Sequence, residues 1–187
     1  MRNKTFRPDE GYRNSFIQEL PLVSESYEIV NSFESTRYQK ISNMVTKVSF
    51  YGKAVNTLNN KDVRVSKRLY IPGSKLRGFE SGKIGPIEND DFIGGNYVSA
   101  VNFSTTLPQV LPSFQNMDFS FFVDAANVWG VDYDSAIDDN TKIRSSTGVA
   151  MDILTPVGPL NFTLSQPITK NSTDKTESFR FNLGTTF

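Results

Sequence analysis

A period of two runs through nearly the whole chain. Phe119, Phe121, Val123 and Ala125 alternate with Asp118, Ser120, Asp124 and Ala126, and Phe122 is the one large apolar residue on the second face. Leu160, Phe162 and Leu164 alternate with Asn161, Thr163 and Ser165. Phe179, Phe181, Leu183, Thr185 and Phe187 alternate with Ser178, Arg180, Asn182, Gly184 and Thr186. Segment 142–154 sets Ile143, Val149, Met151 and Ile153 against Lys142, Arg144, Ser146, Gly148 and Asp152. Segment 97–107 sets Tyr97, Val101, Phe103 and Leu107 against Asn102, Ser104 and Thr106. Met44, Val48 and Phe50 oppose Lys47, Ser49 and Lys53, and Tyr27, Ile29 and Phe33 oppose Glu28, Ser32 and Glu34. Segment 11–20 adds one further stretch. Successive residues of a strand face opposite sides of its sheet, so the pattern predicts an all-β chain of about eight strands, each roughly 9–13 residues long.

Strand length and face chemistry then narrow the class. Strands of soluble domains are usually about 5–6 residues, whereas a tilted strand that crosses a bilayer needs ~9–11. Lys, Arg, Asp, Asn and Gly on one face are a poor lining for a packed core, but they suit the wet lumen of a barrel whose aromatic face meets lipid. A soluble sheet would need an apolar partner for half of every strand, and hydrophobic residues make up only 37% of the chain. The apolar content is strongly aromatic, with 15 Phe and 7 Tyr. Connections also alternate in length. Gln39–Asn43 and Pro156–Gly158 are tight and Pro108–Asn116 is moderate, while Leu58–Gly95 is long, Gly130–Thr141 is intermediate and Thr169–Lys175 is polar. Short turns on one side and long loops on the other are the outer-membrane barrel arrangement. The expectation is a single antiparallel meander with Phe119, Phe121, Phe162, Phe181 and Phe187 outside and Asp124, Arg144 and Asn182 inside.

Several function classes fall to composition. Lys+Arg and Asp+Glu are both 20, and that balance argues against a nucleic-acid partner held by phosphate neutralisation. With 0 Cys and 0 His, thiolate metal sites, thiol nucleophiles and histidine general bases are excluded. The expectation is no catalytic residue, no metal and no cofactor. The acidic group Asp132, Asp134, Asp138 and Asp139 lacks the glycine and terminal glutamate of a calcium loop, and reads as solvated surface. Asn89-Asp90-Asp91 reads as a polar loop, and Gly82-Lys83-Ile84-Gly85 has no phosphate-loop pattern. The residues after Met1 are charged and have no apolar h-region, so they read as no signal peptide.

Four motifs occur in order. Leu76-Arg77-Gly78-Phe79 lies in the long loop, preceded by Pro72-Gly73-Ser74 and followed by Gly94-Gly95-Asn96. Phe122-Val123-Asp124-Ala125-Ala126-Asn127-Val128-Trp129 comes next, then Thr155-Pro156-Val157-Gly158-Pro159-Leu160, then the terminal run from Phe179 to Phe187. A loop of this length exceeds the usual ceiling of about 12–15 residues for structureless connections, which marks it as functional. On periodicity alone, Arg77 reads as a solvated loop charge and Asp124 as a solvated charge of the polar face; if the loop reaches inside, a guanidinium there is costly unless paired, and alternation makes Asp124 its natural partner.

In that order and spacing, from about Phe6 to Phe187, the sequence resembles the C-terminal half of BamA-type outer-membrane protein assembly factors of the bacterial surface antigen superfamily. The resemblance implies the last eight or so strands of a barrel of roughly sixteen, with periplasmic POTRA domains and the N-terminal strands lying outside residues 1–187. It implies that the Arg-Gly-Phe loop folds back into the lumen, and that Phe179, Phe181, Leu183, Gly184 and Phe187 form the targeting and seam strand. It implies a location in the bacterial outer membrane, and a task of folding and inserting other outer-membrane proteins through that seam, without bond chemistry. The implied partners are unfolded outer-membrane proteins, outer-membrane lipid and, through the POTRA domains, periplasmic lipoproteins. The family usually carries a second carboxylate four residues before a proline on the strand after Gly-Gly-Asn. Here that position is Ser104, so Arg77 has one acceptor fewer. Two other readings stand beside this one: a two-partner secretion or translocation-type transporter of the same superfamily, and a small self-contained ligand-binding β-barrel.

Overall fold

The computed structural model describes residues 8–21, 27–59, 61–107, 116–137, 142–156 and 158–184. Among the described residues there are ten strands: β1 (Gly11–Glu19), β2 (Glu28–Ile41), β3 (Met44–Thr57), β4 (Ile87–Glu88), β5 (Asp91–Phe92), β6 (Tyr97–Thr106), β7 (Met117–Trp129), β8 (Arg144–Thr155), β9 (Gly158–Thr169) and β10 (Phe179–Leu183). Eight of them form one sheet in the order β1-β2-β3-β6-β7-β8-β9-β10, and every pairing is antiparallel. This is the expected meander. β1 and β10 are its two edges, and the described residues do not close it into a barrel.

Two tight turns set the register on one side. Ile41 pairs with Met44 across Ser42-Asn43, with Ser42 at φ 55, and Thr155 pairs with Gly158. The strands are longer than alternation alone marks: β2 continues to Ile41 and β9 to Thr169. Pro167 lies where the β8–β9 register shifts at Ser145/Ser146, so its missing N–H falls at an irregularity of the ladder.

The register confirms the two faces. Phe119 and Phe121 lie on the side opposite Asp124, and Phe162 pairs with Phe181 on that same outer side, their ring centroids 5.0 Å apart. Phe33, Phe50, Val101, Phe103, Leu164, Phe179 and Leu183 are all exposed there. Asp124, Arg144 and Asn182 are on the inner face. Phe187, Thr185 and Thr186 lie outside the described residues.

The inner face is less open to water than its polar residues alone imply. Much of it is dry, because the chain between β3 and β6 folds onto it. Val63, Leu69, Ile71, Leu76, Phe79 and Ile84 from that loop pack with Val30, Val55, Val98, Ala100, Ala126 and Val128 from the wall. The loop's apolar residues are irregularly spaced, so no periodicity announces them as core. Within the loop, β4 and β5 form a hairpin whose turn residues Asn89 and Asp90 have φ 50 and 66, the left-handed geometry of a tight two-residue turn. Gly94 at φ 70 and Gly95 end the loop, and a Cβ on Gly95 would stand 2.3 Å from the carbonyl oxygen of Trp129. The Gly-Gly pair is thus required by a backbone-to-backbone approach.

Candidate functional site

One cross-strand row of the inner wall carries polar side chains from β2 to β8. Thr36 pairs with Ser49, Ser49 with Asn102, Asn102 with Asp124 and Asp124 with Ser146. All five are buried. Thr36 and Ser49 share a hydrogen bond of 3.0 Å, and Asn102 Nδ2 donates to Asp124 Oδ1 at 2.9 Å. Such a row has to be satisfied by something, since buried polar groups without partners are costly.

The segment Lys75–Phe79 satisfies it by lying across the strands, meeting them in order. Lys75 Nζ pairs with Glu34 of β2 at 2.5 Å, and Lys75 O accepts from Asn102 Nδ2 of β6 at 2.8 Å. Arg77 donates three times to Asp124 of β7: Nε to Oδ2 at 2.7 Å, Nη2 to Oδ1 at 2.7 Å and the backbone N–H to Oδ2 at 3.1 Å. Ser146 Oγ of β8 donates to Arg77 O. Gly78, at φ 88, comes so close to β8 and β9 that a Cβ would meet Ser146 at 3.2 Å and Ser165 at 3.4 Å. Arg180 Nη2 of β10 donates to Phe79 O at 2.7 Å. Leu76 and Phe79 are buried at 1% exposure and anchor the segment from the apolar side.

The Arg77–Asp124 pair has the planar fork-to-carboxylate geometry that gives guanidinium–carboxylate pairs their strength. Asp124 is fully buried and the Arg77 side chain is 19% exposed. Below the guanidinium is the ring of Phe122, 3.6 Å from Cζ to centroid. Phe122 was the lone large apolar residue on the polar face, and its role as the floor under Arg77 was not read from the sequence. Its breach of the alternation was the available signal. Gly148 makes room for it, because a Cβ there would stand 2.7 Å from the Phe122 ring and 2.1 Å from Leu164 O. Ser104, where a second carboxylate was missed, pairs with Lys47 and Phe122 on the same inner face. Asn102, two residues earlier, is the polar group that joins Asp124 there.

A second buried pair lies beside this site. Arg144, fully buried, makes a fork to Asp174 with Nε and Nη2 both at 2.9 Å, and Nη1 donates to Asn127 Oδ1 at 3.0 Å. The polar loop after β9 therefore also folds inward. In the 130–143 connection Asp132 and Asp134 are exposed, as a solvated surface loop requires, and both also accept hydrogen bonds that order the loop. Asp132 accepts from the N–H of Val63 at 2.9 Å and from Asn96 Nδ2, and Asp134 accepts from the N–H of Ala136 at 2.8 Å. Asp138 and Asp139 lie outside the described residues. Tyr133 donates to Glu88 at 2.7 Å, and that hydrogen bond raises the pKa of its phenol. Arg68 stacks 5.0 Å from the Tyr133 ring centroid, is 5% exposed, and its guanidinium nitrogens have no hydrogen-bond partner among the described residues.

At the last strand, Phe179, Phe181 and Leu183 point outward, and Gly184 at φ 110 donates its N–H to Pro159 O at 2.9 Å. Among the described residues β10 pairs with β9 alone, in register over Phe179–Leu183.

This architecture has close relatives. An outer membrane protein assembly factor BamA from Neisseria meningitidis serogroup B is 27% identical over 220 residues, covering 100% of this chain and 28% of the relative. A BamA from Neorickettsia risticii is 24% identical over 188 residues, covering 97% of this chain and 25% of the relative. The crystal structure of BamA from Haemophilus ducreyi lacking POTRA domains 1–3 superposes with a TM-score of 0.88 at 25% identity, over 97% of this chain and 39% of that one. This chain thus spans about a quarter of the length of these two sequence relatives. Its aromatic outer face is the lipid-facing surface of a barrel in the bacterial outer membrane. The Omp85 superfamily domain matches residues 1–187, and the chain belongs to that superfamily.

Proposed function

We propose that residues 1–187 are the C-terminal part of a longer outer-membrane barrel, and that the whole protein folds and inserts other outer-membrane proteins. The observation that carries this reading is the match of the entire sheet to assembly factors of one name, in sequence and in structure. That name favours assembly over a secretion or translocation transporter, and the unclosed sheet disfavours a self-contained ligand-binding barrel. The partners are unfolded outer-membrane proteins in the surrounding lipid, with periplasmic lipoproteins attached through POTRA domains upstream.

The mechanism follows from the edge at β10. A strand paired on one side offers its other row of N–H and C=O groups to an incoming strand. Such templating lowers the barrier to strand pairing in a membrane, where unsatisfied backbone groups are expensive. It needs no bond chemistry and no cofactor. The docked Leu76-Arg77-Gly78-Phe79 segment braces the wall beside that edge, with Arg77 on Asp124 as its main tie. Depletion of the full-length protein, followed by complementation with wild-type or Asp124→Ala alleles, tests the assignment. Loss of folded porins from the outer membrane on depletion, restored by the wild type, is expected. Normal porin assembly throughout depletion refutes the assembly function.

A further inference from the structure

We propose that Arg180 is a positioning residue that makes the terminal strand and the docked loop one mechanical unit, so that release of either loosens the other. The inference rests on the docking reading given above and goes beyond it, because it assigns the coupling to a residue outside the loop motif.

The geometry is that of a clamp. Among the described residues β10 has one neighbour in the sheet, and its ladder over Phe179–Leu183 is extended by just one backbone hydrogen bond at each end, Ser165 N–H to Ser178 O and Gly184 N–H to Pro159 O. Its inward side chain Arg180 donates Nη1 to Gly73 O at 2.5 Å and Nη2 to Phe79 O at 2.7 Å, and Nε pairs with Glu177. The two carbonyls flank the docked segment on both sides. Gly73 has no Cβ where one would stand 2.4 Å from Arg180 Nη1, which leaves room for the guanidinium against the loop backbone. The side chain is 16% exposed, which limits competition from water.

The backbone adds to the clamp. Phe79 bridges Thr176, Glu177 N–H donates to Gly78 O at 3.2 Å, and Glu80 N–H donates to Lys175 O at 3.0 Å. Lys175 N–H donates in turn to Lys83 O at 3.1 Å. Residues 78–83 therefore run beside 175–177, the approach to β10. The same strand that is least supported by the sheet is thus supported by the loop. Because coupling between two sites is reciprocal, what holds the loop on Asp124 also holds β10. A lysine at 180 would not reproduce this, since one ammonium lacks the fork that reaches two carbonyls and a carboxylate at once.

The test uses the full-length protein, purified in detergent and freed of other cysteines, with a spin label at Leu183→Cys on the outer face. Arg77→Ala, which frees the loop at the far tie, should raise the mobile fraction at 183 at least twofold. In an Arg180→Ala background the same change should add nothing further. In the reverse direction, Arg180→Ala should speed maleimide labelling of Ser81→Cys about tenfold, as expected for the loss of charge-assisted hydrogen bonds. Arg180→Lys should fall between the two. Arg180→Gln, close in volume, is read in parallel so that a folding defect of the alanine variant does not decide the result. If Arg77→Ala leaves the spectrum at 183 unchanged, or changes it equally with and without Arg180, the coupling is refuted. No assembly substrate is present in these measurements. A protein that shows the coupling but fails complementation therefore refutes the assembly function alone, and the converse result refutes the coupling alone.

Discussion

Arg77→Ala isolates the tie between loop and wall. The substitution removes two side-chain hydrogen bonds of 2.7 Å and the counter-charge that forks onto Asp124, a fully buried carboxylate. Asp124 keeps the Arg77 backbone N–H at 3.1 Å and Asn102 Nδ2 at 2.9 Å. Breaking a buried pair from one side costs about 3–5 kcal/mol, and the two retained donors place the loss near the lower end. At about 1.4 kcal/mol per tenfold, a loss of about 3 kcal/mol raises local opening of the loop more than a hundredfold. The cost should stay local, because the antiparallel ladder of β6, β7 and β8 does not pass through Arg77. Amide hydrogen exchange on the purified full-length protein reads both parts. The amides of Glu80 and Glu177, bonded across the docked loop to Lys175 O and Gly78 O, should exchange about a hundredfold faster. The ladder amides of β7 should be unchanged. Asp124→Asn in the same background closes a double-mutant cycle, with an expected coupling of about 2 kcal/mol or more. Unchanged exchange at Glu80 and Glu177, or loss of protection spread evenly into β7, refutes the reasoning.

Four further outcomes are expected. Ser104→Glu places a carboxylate beside Phe122 and Lys47 on the face that holds Arg77, so protease cleavage of the 58–95 loop on intact cells should slow. Gly148→Ala drives a Cβ into Leu164 O and the Phe122 ring, and overpacking of that kind should destabilise the protein by about 1–3 kcal/mol in a detergent unfolding titration. Arg68→Met removes a buried guanidinium that has no hydrogen-bond partner among the described residues, so the thermal midpoint should stay level or rise, the lost stacking on Tyr133 notwithstanding. The isolated chain, with an apolar outer face and two free sheet edges, should require detergent, and a soluble monodisperse monomer in plain buffer would contradict the membrane assignment.

The sheet was legible in the residue order because strand geometry leaves a direct trace. A side chain every second residue faces lipid, and lipid tolerates Phe, Val and Leu but not Asp or Lys, so Phe119, Phe121 and Asp124 declare their sides without any knowledge of neighbours. The tight turns at Ser42-Asn43 and before Gly158 then impose antiparallel register. Pairing Arg77 with Asp124 needed more than the pattern. They lie 47 positions apart, and charge balance and family likeness pointed to a match whose distances only the fold supplies.

What tertiary structure alone decided is the filling of the inner face. Leu69, Leu76, Phe79 and Ile84 follow no period, because a loop packed on a wall is held by contacts from many directions and not by one repeating dihedral. Arg144 finds Asp174, Phe122 finds the Arg77 guanidinium beside the space left at Gly148, and Arg180 finds two loop carbonyls beside Gly73, meetings that appear only once the opposing atoms are in place. Alternation says which side a residue faces. It carries no information about what comes to meet it there, and the docked segment is made of such meetings.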